Sequence, residues 1–332
     1  MSFRAAILTC TVLLLAAVLV SLTLGAYPMP INALLAGHLT DAEWFIVTGL
    51  RIPRVLAAAA GGATFALAGA ALQALFRNPL ADPGLLGVPA AAGLGAATAL
   101  IVMGAVTALW IGALLGAAIV MTATLLVARR VNADGAVGAS STATLLLLGI
   151  AINAACAAGL AMLTALASEG QLKTLSFWML GSFASLAWPV VIALCGVAFV
   201  AALLLQTMAP ALAALLLGER AARAAGVDLK SLRIRVAVVT AVAVAVITAF
   251  CGGVGFVGLA APHLARLTVS ASPRSVLPLS ALIGALLCVL ADVVARSIAA
   301  PIELPVGAIT AILGVPLLIA MILRGDSGRR AR

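Results

Sequence analysis

Long apolar runs, separated by short polar connections, fill most of the chain. We predict ten membrane-spanning helices from these runs, at residues 5–26, 54–76, 84–106, 108–128, 141–167, 187–208, 234–252, 257–270, 276–297 and 306–323. A spanning helix needs about 20 apolar residues, so the eighth run is too short to cross a bilayer unaided. Strands of a membrane barrel alternate polar and apolar residues, which these continuous runs do not. The pattern predicts an all-α polytopic membrane protein, with one helical bundle over residues 1–332.

The composition agrees with lipid as the solvent of this chain. Of the 332 residues, 65% are hydrophobic and 9% are charged, whereas soluble domains carry about 25% charged residues. The net charge of +9 does not indicate nucleic-acid binding, because the basic residues are scattered between apolar runs. The first run resembles a signal peptide, but its length and the spans that follow favour an uncleaved first helix. The cysteines lie apart in apolar stretches and predict neither a disulfide nor a metal site.

The basic residues predict the orientation of the helices through the positive-inside rule. With the amino terminus in the cytoplasm, the cytoplasmic side receives Arg4, Arg77, Arg129, Arg130, Arg220, Arg223, Lys230, Arg233, Arg235, Arg274, Arg324, Arg329, Arg330 and Arg332. The outer side receives Arg51, Arg54, Lys173 and Arg296, together with the acidic residues Asp41, Glu43, Glu169 and Glu303. Arg266 is near the inner end of the eighth run. Both termini are therefore predicted to be cytoplasmic.

Three connections between the runs are long enough to carry structure of their own. Residues 27–53 and 168–186 are external segments, and the second of these is amphipathic and partly helical in pattern. Residues 209–233 form the longest cytoplasmic loop. Within that loop, residues 217–230 predict short helices joined at Gly226, which acts as a C-cap, with Glu219 and Arg223 paired four residues apart. Taken alone, the loop is equally consistent with a rigid knob for a partner and with a solvated loop that only sets topology.

Four sequence blocks follow one another in an order that identifies a family. They are the Gly-Glu-x-x-Ala-x-x-x-Gly pattern at 218–226, Arg51-Ile-Pro-Arg54 with the block at 69–87, the block at 253–266, and Asp292 to Arg296 with the block at 303–310. Together they cover nearly the whole chain, and they resemble the permease subunits of type II ABC importers, which carry cobalamin, iron–siderophore complexes and haem. Among these permeases, the chain most resembles those for haem.

The resemblance implies partners and a location for the chain. It implies a homodimer in the cell inner membrane, two ABC ATPase subunits beneath it and a periplasmic binding protein that delivers the cargo. The cytoplasmic loop 209–233 becomes the coupling-helix pair for the ATPase, through Gly218, Glu219, Arg220, Arg223 and Gly226. Segments 27–53 and 168–186 become periplasmic.

Three outer arginines match the positions at which such permeases receive carboxylates of the binding protein. They are Arg51, Arg54 and Arg296, and guanidinium groups suit this task because they pair well with carboxylates. The alternatives are interfacial anchoring and internal pairing, for example of Arg296 with Asp292 one helical turn away. Proton coupling is the other interpretation of Asp292, a carboxylate within a span.

The chain is not predicted to be an enzyme. A P-loop needs Gly-Lys-Ser/Thr, and both lysines, Lys173 and Lys230, follow a leucine. ATP and magnesium would bind the partner ATPase, and no cofactor or metal is predicted on this chain. His263 is predicted to have a structural or ATPase-interface role, His38 is predicted to be a solvated residue of the outer loop, and the Asn78-Pro79 and Asp82-Pro83 pairs predict a structural turn.

The cargo is the least determined part of the prediction. By the resemblance, the fifth and tenth spans line the pathway, and their weakly polar residues suit a bulky chelate better than a bare ion. Lys173 and Trp178 follow the fifth span, where a cation would attract haem propionates; the alternative is an interfacial lysine beside an aromatic belt. Haem is the first choice, a ferric siderophore the second and cobalamin the third. An ion-coupled secondary transporter, which would show inverted repeats, is the alternative from another class.

Overall fold

The computed structural model is helical throughout the part that it describes, which is residues 2–25, 27, 29, 37, 39–133, 139–300, 302–316 and 319. The helices are α1 (Phe3–Thr23), α2 (Asp41–Phe45), α3 (Ile52–Phe76), α4 (Val88–Met103), α5 (Val106–Ala133), α6 (Ala139–Leu166), α7 (Glu169–Met179), α8 (Trp188–Leu216), α9 (Glu219–Ala224), α10 (Leu229–Cys251), α11 (Val257–Thr268), α12 (Pro273–Ser297) and α13 (Val306–Pro316). A π-helical stretch, Ile46–Arg51, joins α2 to α3, and a 3-10 turn, Pro83–Leu86, precedes α4. The predicted all-α polytopic fold is confirmed.

Ten of the described helices, all except α2, α7 and α9, correspond to the ten predicted spans. Seven are long and apolar enough to cross a membrane by length and composition, and α4 and α13 are shorter apolar helices. The eighth predicted span is α11, which has 12 residues and starts after the irregular stretch 252–256. Irregular backbone at membrane depth is tolerated where protein surrounds it. Within this stretch Gly252 and Val254 are buried, Gly253 and Phe256 are partly buried, and Gly255 is exposed.

Two predicted connections are shorter than the sequence indicated. Helix α8 continues to Leu216 rather than ending at 208, because a proline within a membrane helix, here Pro210, is tolerated when neighbouring groups satisfy the freed carbonyl. The loop predicted over 209–233 is therefore reduced to the short segment between α8 and α10. Likewise, the external segment predicted over 27–53 ends in helix, since α2 and the π-helical stretch run without a break into α3. The predicted helix within 168–186 is confirmed as α7, which starts with a capping box between Ser168 and Gln171.

Helix α3 lies at the centre of the bundle and packs closely through glycines. A Cβ atom on Gly62 would collide with the carbonyl oxygen of Gly284 in α12, and one on Gly69 would collide with that of Gly258 in α11. Helices α4 and α5 meet in the same way at Gly95. Small residues let membrane helices approach closely, so that van der Waals packing replaces the missing hydrophobic driving force.

A second set of close approaches ties three irregular segments together near the predicted outer side. The amide of Ser182 donates to the carbonyl of Cys251 at 2.9 Å, and the amide of Gly307 donates to the carbonyl of Leu180 at 3.0 Å. A Cβ atom at Gly307 would collide with the carbonyl oxygens of Leu180, after α7, and Gly253, after α10. The end of α7, the end of α10 and the start of α13 are therefore held together by their backbones.

We expect Gly62→Ala to destabilise the protein by about 1–3 kcal/mol, the usual cost of overpacking a close-packed core. Gly93→Ala is the matched control, because a Cβ at this helical glycine of α4 meets nothing within 4 Å. Thermal unfolding of the purified protein in detergent measures both variants. Equal unfolding temperatures for the two would contradict the close approach of α3 to α12.

Candidate functional site

The predicted outer end of the bundle contains a cluster of charged residues from distant parts of the chain. Arg54, in the first turn of α3, donates from Nε to both carboxylate oxygens of Asp292, at 2.9 and 3.0 Å. Its Nη1 donates to Oε1 of Glu303 at 2.6 Å. One guanidinium therefore bridges α12 and the turn between α12 and α13. We call Arg51, Arg54, Asp292, Arg296 and Glu303 the outer charge cluster.

The other two arginines of the outer charge cluster bind the end of α1. Arg296 lies 3.5 Å from Asp292 through its Nε and donates to the hydroxyl of Ser21 at 2.6 Å. It also donates to the carbonyl of Ser21, and Arg51 donates to the carbonyls of Leu22 and Tyr27. Carbonyls at the carboxyl end of a helix have no partner within the helix, so these arginines cap α1.

Burial changes the interpretation of the predicted docking arginines. The exposed fractions are 5% for Arg51, and 11% and 7% for the side chains of Arg54 and Arg296. Their hydrogen-bonding groups are directed into the bundle rather than presented on its outer face. Internal pairing of Arg296 with Asp292, the alternative named from sequence, is present in this structure. Docking on these three arginines stays a prediction, and Glu303, with 47% of its side chain exposed, is the accessible member of the cluster.

Helix α7 carries the two residues predicted at the cargo entrance, Lys173 and Trp178, but one is exposed and the other packs against the bundle. Lys173 is exposed. Trp178 instead donates from its indole Nε1 to the carbonyl of Ala249 near the end of α10, at 3.2 Å, and packs against the core. Trp178 therefore anchors α7 to the bundle, and Lys173 is the one of the pair that faces outward. Contact of either residue with cargo stays a prediction.

The predicted coupling residues form a compact projection at the opposite end of the bundle. Helix α9 ends at Ala224, and two residues later Gly226 closes it, with a positive φ of +79° that favours glycine and with the amide of Val227 donating to the carbonyl of Ala222 at 3.0 Å. The predicted C-cap at Gly226 is confirmed. The second predicted helix of the pair is the start of α10, capped by the carboxylate of Asp228. We call residues 217–228 the coupling projection.

Glu219 determines how the coupling projection is held on the bundle. Its Oε2 accepts from Arg223 at 3.3 Å, which confirms the predicted pair, and its Oε1 accepts from Arg233 of α10 at 2.7 Å. The second contact is the stronger tie, since Arg233 is buried. Leu217, Arg220 and Arg223 stay exposed on the free side. The projection thus presents an apolar and cationic surface on a rigid base.

A cavity with several polar side chains in its wall lies beside the coupling projection, under the turn that follows α3. Gln73 donates to the carbonyls of Ala81 and Gly258, and its Oε1 accepts from Arg266 at 2.8 Å. Gln73, Arg77 and Arg266 line a cavity with about 330 Å³ of accessible volume, which Leu216 also lines. The sequence indicated Arg266 only as a basic residue near the inner end of its span.

The turn between α3 and α4 has the structural role predicted for it. The Asn78 side chain accepts from the amide of Leu80, and Asp82 accepts from that of Gly84 at 2.8 Å. Burial raises the pKa of the Asp82 carboxyl, while the hydrogen bond from Gly84 opposes the shift. His263 is partly buried in α11 and has an interaction partner. His38 and the basic residues from Arg324 onward lie outside the described residues.

Sequence reasoning missed the contacts that join distant residues. The pairs Arg54–Asp292, Arg54–Glu303 and Arg233–Glu219 are separated by up to 249 positions, and no local spacing indicates them. Opposite charges assigned to the same side of the membrane were the available signal for the outer pairs. Within the described part of the chain, no three His, Cys, Asp or Glu residues converge as metal ligands.

Comparisons with known proteins agree along nearly the full length of the chain. Residues 13–324 match the FecCD transport family. The hemin transport system permease protein HmuU of Yersinia pestis is 35% identical over 319 residues, covering 94% of this chain and 93% of that protein. The vitamin B12 import system permease protein BtuC of Salmonella typhimurium is 36% identical over 327 residues, covering 92% of this chain and 94% of that protein. A structure of a metal-chelate type ABC transporter in an inward-facing conformation has a TM-score of 0.83 and 28% identity, covering 97% of this chain and 99% of that one.

We expect Asp292→Asn to lower the free energy of unfolding by about 3–5 kcal/mol, the usual result of removing one partner from a buried ion pair. The variant leaves Arg54 and Arg296 without their shared carboxylate. Asp41→Asn, an exposed acidic residue at the same end, is the control and should change stability little. Chemical unfolding in detergent measures both, and equal effects would contradict a structural role for Asp292.

Proposed function

This chain belongs to the FecCD transport family, and from that premise we propose that it carries haem across the inner membrane as the permease subunit of an ATP-driven importer. That it is a permease of a type II ABC importer follows from the family and from full-length similarity to HmuU and BtuC. Membership of this family argues against an ion-coupled secondary transporter, the alternative considered from the sequence. The pairing of Asp292 with two arginines likewise supports a structural role rather than proton coupling.

The proposed assembly has two copies of this chain, two ATPase subunits and one periplasmic binding protein. The exposed surface of α6 supports the homodimer, because Leu147, Ile150 and Met162 face outward and little of Leu147–Leu166 is buried within one subunit. The coupling projection supports ATPase docking, since its exposed leucine and arginines stand on a rigid base. Both termini then lie in the cytoplasm, as the basic residues predict.

Lys173 is the observation that carries haem as the cargo. It is an exposed cation on α7, just after the end of α6, the helix that the family places along the pathway. Haem has two propionate carboxylates, which a cation at the entrance attracts. The similarity to HmuU agrees with this choice, while the equal similarity to BtuC makes cobalamin the leading alternative.

The proposed transport cycle uses both ends of the bundle. The loaded binding protein docks at the outer charge cluster, and haem passes Lys173 into the space between the two copies of α6. The amide of Asn153, on α6, donates to the carbonyl of Gly84 at 3.1 Å and joins α6 to the 3-10 turn before α4. ATP binding and hydrolysis in the partner subunits then displace the coupling projection, and α8 and α10 transmit the displacement to the bundle.

We expect haem to accumulate in proteoliposomes that contain this chain and its ATPase, and only when ATP and the loaded binding protein are both present. Radiolabelled or spectroscopic uptake measures it, with a ferric siderophore and cobalamin as competitors. Lys173→Gln should slow haem uptake about two- to fivefold, the effect of one exposed charge pair, and Lys173→Arg should restore it. Uptake of cobalamin alone would keep the importer and exclude haem.

We expect Glu219→Gln to lower ATP-driven uptake and to weaken binding of the ATPase, because both salt bridges that hold the coupling projection are lost. Docking of the binding protein at the far end should not change. Lys230→Gln removes an exposed charge beside the same projection and is the matched control. If both variants transport at the wild-type rate, Glu219 does not position the projection.

A further inference from the structure

The outer charge cluster contains unequal numbers of positive and negative groups. Arg51, Arg54 and Arg296 contribute three positive charges, and Asp292 and Glu303 contribute two negative ones. The outer residues that the structure leaves undescribed, at 26, 28, 30–36, 38 and 301, include no Asp or Glu in the sequence and so cannot supply the missing negative charge. Carbonyls at the end of α1 are partners for Arg51 and Arg296, but they carry no formal charge, so the cluster keeps one excess positive charge that attracts a further anion.

Within this cluster, the two carboxylates differ in how easily they can leave. Asp292 is 1% exposed and is bound by both Arg54 and Arg296. Glu303 is 47% exposed and makes one hydrogen bond to the cluster, with Nη1 of Arg54 at 2.6 Å. It stands on the turn before α13, where the neighbouring Ile302 is 70% exposed. Glu303 can therefore swing away without opening the bundle, whereas Asp292 cannot.

Arg54 is also the most accessible of the three arginines. Its side chain is 11% exposed, and its Nη1 is bound by Glu303, the exposed carboxylate of the cluster. A carboxylate that approaches from outside therefore meets a site already filled by a carboxylate of the chain itself. Replacing one by the other leaves the charge of the cluster unchanged, so the exchange has little electrostatic cost.

We propose that Glu303 is an internal competitor, which occupies Arg54 until a carboxylate of the docking binding protein displaces it. The inference rests on the proposed function, in which a periplasmic binding protein docks at this end. Displacement has a second consequence, since Glu303 lies three residues before Val306, the first residue of α13. Docking thereby releases the contact that ties the turn before α13 to α3.

Affinity of the loaded binding protein for the permease–ATPase complex in nanodiscs tests the competition. Glu303→Gln removes the competitor and should tighten binding about two- to fivefold, the range for an exposed ion pair. Glu303→Asp keeps the charge but is one methylene shorter, so it should lose the contact and also bind more tightly. Glu169→Gln removes an exposed outer carboxylate on α7 and controls for net charge; it should bind as the wild type does.

The results separate this inference from the docking proposal beneath it. Wild-type complex without saturable binding overturns both. Saturable binding with Glu303→Gln equal to or weaker than Glu169→Gln overturns the competition alone. The competition is also overturned if Glu303→Gln binds more tightly while Glu303→Asp binds with wild-type affinity. The loss of net charge, and not the loss of the contact with Arg54, would then explain the tighter binding. Unfolding temperatures of all three variants within a few degrees of wild type, as expected for single exposed pairs, show that affinity and not folding has changed.

Discussion

The buried carboxylate of Asp292 is the group around which the outer half of the structure is arranged. It holds Arg54 of α3 and Arg296 of α12, and those arginines in turn contact Glu303 and the end of α1. In an apolar solvent each of these groups would be costly alone, so the presence of one requires the others. The cluster thereby joins the first, second and ninth predicted spans and the turn into the tenth at a single place.

Close packing by small residues is what brings those charges within reach of one another. Helix α3 lies against α12 at Gly62 and Gly284, with room for no side chain between the two backbones. The same kind of approach occurs at Gly69 near the inner side, where Gln73 and Arg266 meet one turn further along α3. A central helix rich in glycine and alanine therefore connects the outer charge cluster to the cavity at Gln73 and Arg266.

The two ends of the bundle hold their exposed parts in different ways. At the inner end, Glu219 joins the coupling projection to the buried Arg233, so the exposed arginines stand on a fixed base. At the outer end, the three arginines and Asp292 are enclosed in the bundle, and the exposed residue, Glu303, is joined to them only by its salt bridge with Arg54. A firm base suits the proposed role of this surface, which is to transmit movement from an ATPase. A single exposed contact suits a surface at which a partner exchanges places with the chain.

The sequence by itself determined the fold class, the positions of the apolar helices and the family, because apolar runs and ordered motifs are local properties. It also located the turn at 78–84, the C-cap at Gly226 and the Glu219–Arg223 pair, which depend on residues a few positions apart. Only the tertiary structure decided that the outer arginines are enclosed, that Trp178 anchors α7, and that Glu303 and Arg233 complete the two charged sites. Those outcomes depend on which helices touch, and the partners, which are 14 to 249 positions apart for these contacts, have no local spacing from which the contacts can be predicted.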